Sequence, residues 1–311
     1  LKEKAMQLEK KEQKIVTVSR VAVIANALLS VLKITVGLLA GSMAVIADGI
    51  DSASDVLASL ITLFTAHIIG RPPDKKYPYG YRKADTMATK ILSFIIFFAG
   101  AQLAISSIGR FIHPEPRAIP ASIAIYVIII SIITKQLLAL YLKKAGKKEK
   151  SSMLLANAKN MQSDVVISLS VLTGLIFTYI LKMPVFDVIT AFLVSLWIMG
   201  VAVKIFFDSN LDLMDGVDNI ALYDKVVEAC KMEEGVSHPH RIRIRKIEHL
   251  YLISLDIELP GALSLDEGHL ISQRVEKNIK KLIPNVYDIL IHIEPQGNTE
   301  EEVFGISETD L

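Results

Sequence analysis

The chain has 311 residues, 51% of them hydrophobic, a mean hydropathy of +0.43 and yet 22% charged residues, so apolar and charged segments are segregated along it, as in a membrane protein with a soluble part attached. A formal net charge of +1 argues against nucleic acid or another polyanion as partner. The single cysteine, Cys230, excludes an intramolecular disulfide and a thiolate metal cage, and reads as a small core residue.

Residues 1–15 form a charged segment without a small-residue cleavage site, so no removable signal peptide is expected. A helix needs about 20 apolar residues to cross a bilayer. Stretches of that kind follow at 16–39, 43–69, 86–109, 121–142, 153–181 and 186–207, which predicts a six-helix transmembrane domain over 16–207. The links AGSMA, HPEPRAIP and KMPVFD are short and poor in Lys and Arg. The basic N-terminus, the segment Arg71 to Lys83 and the run Lys143, Lys144, Lys147, Lys148 and Lys150 gather on the other side. By the positive-inside rule that side is cytoplasmic and holds both termini. These basic clusters are otherwise explained by contact with lipid headgroups.

After Asp208 the hydropathy collapses. A helix at 219–232, strands Arg241 to Ile247 and Leu250 to Leu259, a helix at 265–282 and a strand Tyr287 to Glu294 predict a cytoplasmic domain over 208–295. This αββαβ order suits a small ferredoxin-like sandwich with two helices on one face of a three-stranded sheet. Its exposed edge or face favours dimerisation. The acidic tail, 296–311, is expected to be disordered.

Carboxylates in an apolar helix are costly and mark function by default. The second apolar stretch places Asp48, Asp51 and Asp55 at intervals of three and four residues, on one helical face. The fifth repeats the layout with Asn157, Asn160 and Asp164. Two such helices facing each other put Asp51, Asp55, Asn160 and Asp164 around one point, which makes a cation site. Single polar residues in membrane helices also serve as interhelical glue. Three acids on one face repel, however, so protons or a cation must neutralise them. Asp48 and Asn157, one turn further outward, are assigned to the ion pathway or to support of the ligands.

These residues resemble the cation diffusion facilitator family. The resemblance covers essentially the whole chain, including the Gly41-Ser42 turn and the Ser163-Asp164 dipeptide, and its signature pairs fall on Asp51 with Asp55 and on Asn160 with Asp164. It implies a multi-pass protein of the cell (inner) membrane with six spans and a cytoplasmic αββαβ domain. It further implies a homodimer that exchanges a divalent metal for protons, so this chain is expected to be a transporter rather than an enzyme. Zinc carriers of the family usually have histidine where Asn160 stands, and an all-oxygen shell suits manganese(II) better than zinc. Asn at this place is typical of the manganese-exporting branch, so manganese(II) is favoured, followed by iron(II), cobalt(II) and zinc. Tyr77, Tyr79 and Tyr81 fall where the family's loop histidines would be, so a metal site beside Asp74 is not expected and the rings read as interfacial anchors. The resemblance also places Lys83 and Asp215 as a salt bridge between membrane and soluble parts.

In the cytoplasmic domain His292 and Glu294 share a strand face, His240 opens the first strand and Asp256 lies in the second. The resemblance puts His240, Asp256, His269, His292 and Glu294 at places similar to regulatory metal ligands. Surface histidines are more often ordinary polar residues, so both readings stand. Binding by alternating access then lets the three acids trade metal for protons. Two other functional classes fit the sequence less well. An intramembrane aspartyl protease needs Tyr-Asp and Gly-x-Gly-Asp contexts that the membrane part lacks. A membrane-anchored metal sensor explains the histidines and leaves the paired stripes without a purpose.

Overall fold

The computed structural model describes residues 2–69, 71, 74–81, 83–113, 119–149, 151–217, 219–247, 250–297 and 305–308, without the side chains of 2–15, 66, 67, 152, 153 and 247. His249 and Lys150 lie outside the described residues. Six long helices come first: α1 (Lys2–Ala40), α2 (Met43–Ile69), α3 (Lys83–Ile112), α4 (Ile123–Lys148), α5 (Ser152–Leu181) and α6 (Val185–Leu213). Then follow α7 (Ala221–Lys231), β1 (Ser237–Ile247), β2 (Leu250–Leu259), α8 (Leu265–Leu282) and β3 (Val286–Pro295). The chain divides into one compact unit of Leu1–His67 with Ala88–Phe206 and a second of Ile68–Met87 with Phe207–Leu311.

Among the described residues five helices are long and apolar enough to cross a membrane: Val16–Ala40, Lys83–Ile112, Ile123–Lys148, Leu154–Leu181 and Val185–Leu213. The sixth expected span, α2, has the length, 27 residues, and carries Asp48, Asp51 and Asp55 in its first half. Large apolar side chains such as Leu39, Phe98, Phe111 and Ile180 point outward from the first unit, as lipid solvation permits. Small and aliphatic residues, among them Ala44, Ala47, Ile128, Val171 and Ala191, form its interior. Hydroxyls at Ser59, Thr62, Thr173 and Thr178 donate to carbonyls four residues earlier and so need no outside partner.

The α1–α2 hairpin turns at Gly41, whose φ of +71° suits glycine, and closes tightly. A Cβ on Gly49 would lie 2.7 Å from Ile34 Cγ1 and 3.0 Å from Ile34 N, so the two backbones approach as only glycine permits. The start of α2 is capped from α6. Asp187 accepts from Ser42 Oγ at 2.5 Å, Met43 N at 2.7 Å and Ala44 N at 3.4 Å, satisfying amides that a helix start leaves without intrahelical partners.

In the second unit the sheet runs β1-β2-β3, with β1 antiparallel and β3 parallel to β2. The parallel pair needs a crossover, and α8 supplies it. Ser264 and Glu267 form a reciprocal capping box that starts α8. Val226, Cys230, Ile242, Leu255, Ile257, Val275 and Ile279 fill the core between sheet and helices. Burial pushes the Cys230 thiol up to about 12, which keeps it unreactive. β1 begins four residues before its predicted start, and register shifts flank His240. Within the tail, where disorder is expected from 296, the described residues 305–308 make contacts: Ile306 exchanges both backbone hydrogen bonds with Ile242, Ser307 is buried and Lys231 pairs with Glu308. An isoleucine set within an acidic run pairs with an isoleucine of the arginine-rich strand β1.

Asp187→Ala removes the acceptor for the α2 amides, and a loss of about 1–3 kcal/mol is expected. Thermal unfolding in detergent reads it as a lower midpoint; an unchanged midpoint would contradict this role.

Candidate metal centre

α2 and α5 bring Asp55, Asn160 and Asp164 together. Asn160 Nδ2 donates to Asp55 Oδ1 at 3.4 Å, and the carboxyls of Asp55 and Asp164 lie within hydrogen-bonding reach. Asp164 is buried, Asp51 and Asp55 are half-buried, and Asn160 and Asn157 are exposed. Buried oxygens Asp51 Oδ2, Asp55 Oδ2 and Asp164 Oδ2 have no hydrogen-bond partner among the described residues. A buried carboxylate oxygen without a hydrogen-bond partner is costly in a low-dielectric interior, and a proton or a cation relieves that cost. The three acids do not reach the mutual 4.8 Å spacing found in the cytoplasmic cluster described below.

Two lysines that the sequence reading passed over are buried with these acids. Lys33 on α1 and Lys135 on α4 are both 0% exposed. Lys33 Nζ lies 2.7 Å from Asp48 Oδ2 and donates to Ser52 Oγ at 3.1 Å and Ser168 Oγ at 3.4 Å. Ser168 in turn donates to both Asp48 oxygens, at 2.8 and 3.1 Å. Asp48 is therefore engaged in an internal ion pair rather than presented as a ligand. Lys135 Nζ lies 3.1 Å from Asp164 Oδ2, but off the direction a hydrogen bond requires. The signal was available: a lysine midway along an apolar stretch marks function as an aspartate does.

In the loop after α2, Asp74 accepts from Lys76 N at 2.8 Å, Tyr77 N at 2.7 Å and Tyr81 Oη at 2.6 Å. The Tyr81 hydroxyl and the Tyr77 amide hold its carboxyl below the usual range. Its oxygens fasten the loop, and the Tyr77 and Tyr81 rings pack at 4.6 Å. In the second unit Lys83 Nζ lies 2.6 Å from Asp215 Oδ1, and Arg245 Nε lies 3.1 Å from Asp215 Oδ2.

A second cluster forms on the sheet face opposite the helices. His240, Asp256 and Glu294 are buried, and one ligand atom from each lies within 4.8 Å of the others. Positive φ at His238 (44°) and Arg241 (47°) and the register shifts of β1 aim His240 inward. His240 Nδ1 lies 2.7 Å from the His238 carbonyl and so carries the proton of the neutral ring. That leaves Nε2, 3.4 Å from Glu294 Oε2, as the ligating atom. Arg241 Nη1 lies 2.9 Å from Asp256 Oδ2 and competes for that carboxylate. His238 and Glu258, which sequence reasoning missed, pair at 2.9 Å beside the cluster. The Gly297 amide and the His238 ring hold the Glu258 carboxyl below its usual range. Exposed His292 reaches Glu294 Oε1 at 3.5 Å, whereas His269 lies on the exposed face of α8 against Gln273 and does not join.

The model of the cation efflux transmembrane domain matches residues 19–214, and that of the cation efflux protein cytoplasmic domain matches 221–296. Over 290 residues the chain is 31% identical to the manganese efflux system protein MneP of Bacillus subtilis, covering 89% of this chain and 95% of that one. It is 31% identical over 277 residues to the manganese efflux system protein MneS of the same organism, covering 88% and 93%. A solved structure, the metal-bound C-terminal domain of the CzcD transporter from Thermotoga maritima, is 33% identical over 26% of this chain and 94% of its own, with a TM-score of 0.26.

Lys33→Met leaves Asp48 as a buried charge without its cation, at an expected cost of about 3–5 kcal/mol. Adding Asp48→Asn should recover most of the lost thermal midpoint in detergent. A double variant no more stable than Lys33→Met would contradict the pairing.

Proposed function

The chain belongs to the cation efflux family, whose members move metal cations across membranes, and from that premise we propose that it exports manganese(II) in exchange for protons. The observation that carries the reading is the set Asp51, Asp55, Asn160 and Asp164, with three buried carboxylate oxygens lacking hydrogen-bond partners. Hard oxygen donors favour manganese(II), and an amide in place of imidazole removes the ligand that most favours zinc. The manganese efflux names of the relatives support the same choice. Iron(II), cobalt(II) and zinc follow in preference.

Protons couple because the same carboxylates bind either proton or metal. The crowding of Asp55 against Asp164 makes the two states exclusive: the pair is neutralised by one or the other. Alternating exposure of this site to the two sides of the membrane completes the cycle. Asp48 acts as support through Lys33 and Ser168, and Asn157 lies along the ion path. The cell membrane is the site of action, with both termini cytoplasmic, as the distribution of Lys and Arg supports.

The cytoplasmic-domain match supports a homodimer. His240, Asp256 and Glu294, with His292 at the rim, form a regulatory metal site; His269 would join only after a change of position. Lys83 with Asp215 supports the junction of helix and cytoplasmic domain.

In proteoliposomes Asp51→Ala and Asp164→Ala are each expected to lower manganese flux by about 100-fold or more. Native flux in both variants would contradict the site. Asn160→His is expected to shift transport toward zinc over manganese by about tenfold. If the ratio does not move, Asn160 does not set selectivity.

A further inference from the structure

The two buried lysines are held differently. Lys33 has a full set of acceptors in Asp48, Ser52 and Ser168 and is locked in place. Lys135 faces Asp164 at 3.1 Å, yet its Nζ makes no aligned hydrogen bond among the described residues. An ammonium with three donors, fully buried and without an aligned acceptor, is held by charge alone. It stands beside the Asp55 and Asp164 carboxyls that the transported ion would join, and within electrostatic reach of Asp51.

We propose that Lys135 is a tethered counter-cation of the transport site, which holds Asp164 when no metal is bound and yields it when the ion arrives. The inference rests on the transport reading of the same residues. Asp48, Asp51, Asp55 and Asp164 are four carboxylates within electrostatic reach of two lysines, so with all four ionised, as metal binding requires, two carboxylate charges remain for the ion to balance. One divalent ion balances them; a monovalent ion leaves an excess of negative charge and a trivalent ion an excess of positive charge. The lysine thereby selects by valence, while the oxygen ligands select among divalent ions. A nearby positive charge also raises the energy of the bound metal and hastens its release. Lys135 is a positioning residue in this scheme: it acts through Asp164 and need not touch the ion.

The test is transport by the full-length chain in proteoliposomes, comparing native protein with Lys135→Met and Lys135→Gln. Methionine keeps the length of the stem, and glutamine keeps a hydrogen-bond donor, so a failure to fold in one leaves the other as the measurement. Loss of the charge is expected to lower the KM for manganese by about tenfold or more and to lower the maximal rate with it. Inhibition by lanthanum(III) should strengthen by a larger factor than the manganese KM falls, because a trivalent ion feels the lost charge more. A merely structural role would raise KM or leave the lanthanum-to-manganese ratio fixed, and either result overturns the inference. Native protein that carries no divalent ion would overturn the transport reading, and this inference with it. Native transport with unmoved constants in both variants overturns the inference alone.

Discussion

Carboxylates held together in hydrocarbon cannot all remain charged without a cation beside them, and that constraint organises the first unit. Asp48 is answered by Lys33 at 2.7 Å and Asp164 by Lys135 at 3.1 Å, each lysine contributed by the neighbouring helix in sequence. Packing has to permit this. The approach of α1 to α2 at Gly49 brings the Lys33 stem alongside the Asp48 turn. Asp187 fixes the start of α2 and with it the depth at which the acidic stripe sits. Asp51 and Asp55, which have no lysine to themselves, are the charges left for an ion or for protons.

The stripes on α2 and α5 were legible because helical spacing converts intervals of three and four residues into a shared face. Their pairing across space was legible only as a possibility, and the structure brings Asp55, Asn160 and Asp164 together. Lys33 was legible in principle: it precedes Gly41 by eight residues and Asp48 follows it by seven, so a hairpin turning there sets them at equal depth. The cost of burying a charge in hydrocarbon applies to a lysine as it does to an aspartate.

In the second unit, helix and strand order followed from period and turn chemistry, but the inward aim of His240 did not. That aim depends on left-handed backbone at His238 and Arg241, a conformation uncommon outside glycine and not signalled by the sequence around them. Exposed His292 and the poorly placed His269 show why a histidine count is a weak guide to a ligand set. The pairing of Ile306 with Ile242 was hidden for a similar reason: a single bridge contributed by one apolar residue in an acidic tail leaves no periodic signal.

The central claim is that the carboxylates of α2 and α5 hold either manganese(II) or protons, so that the gradient of one drives the other. The direct measurement uses sealed vesicles containing the native protein, equal manganese(II) on both sides and an imposed pH difference. The account predicts net accumulation of manganese(II) in the acidic compartment until the pH difference has decayed. Manganese(II) that stays equal across the membrane, in vesicles shown to pass it down its own gradient, would contradict the account.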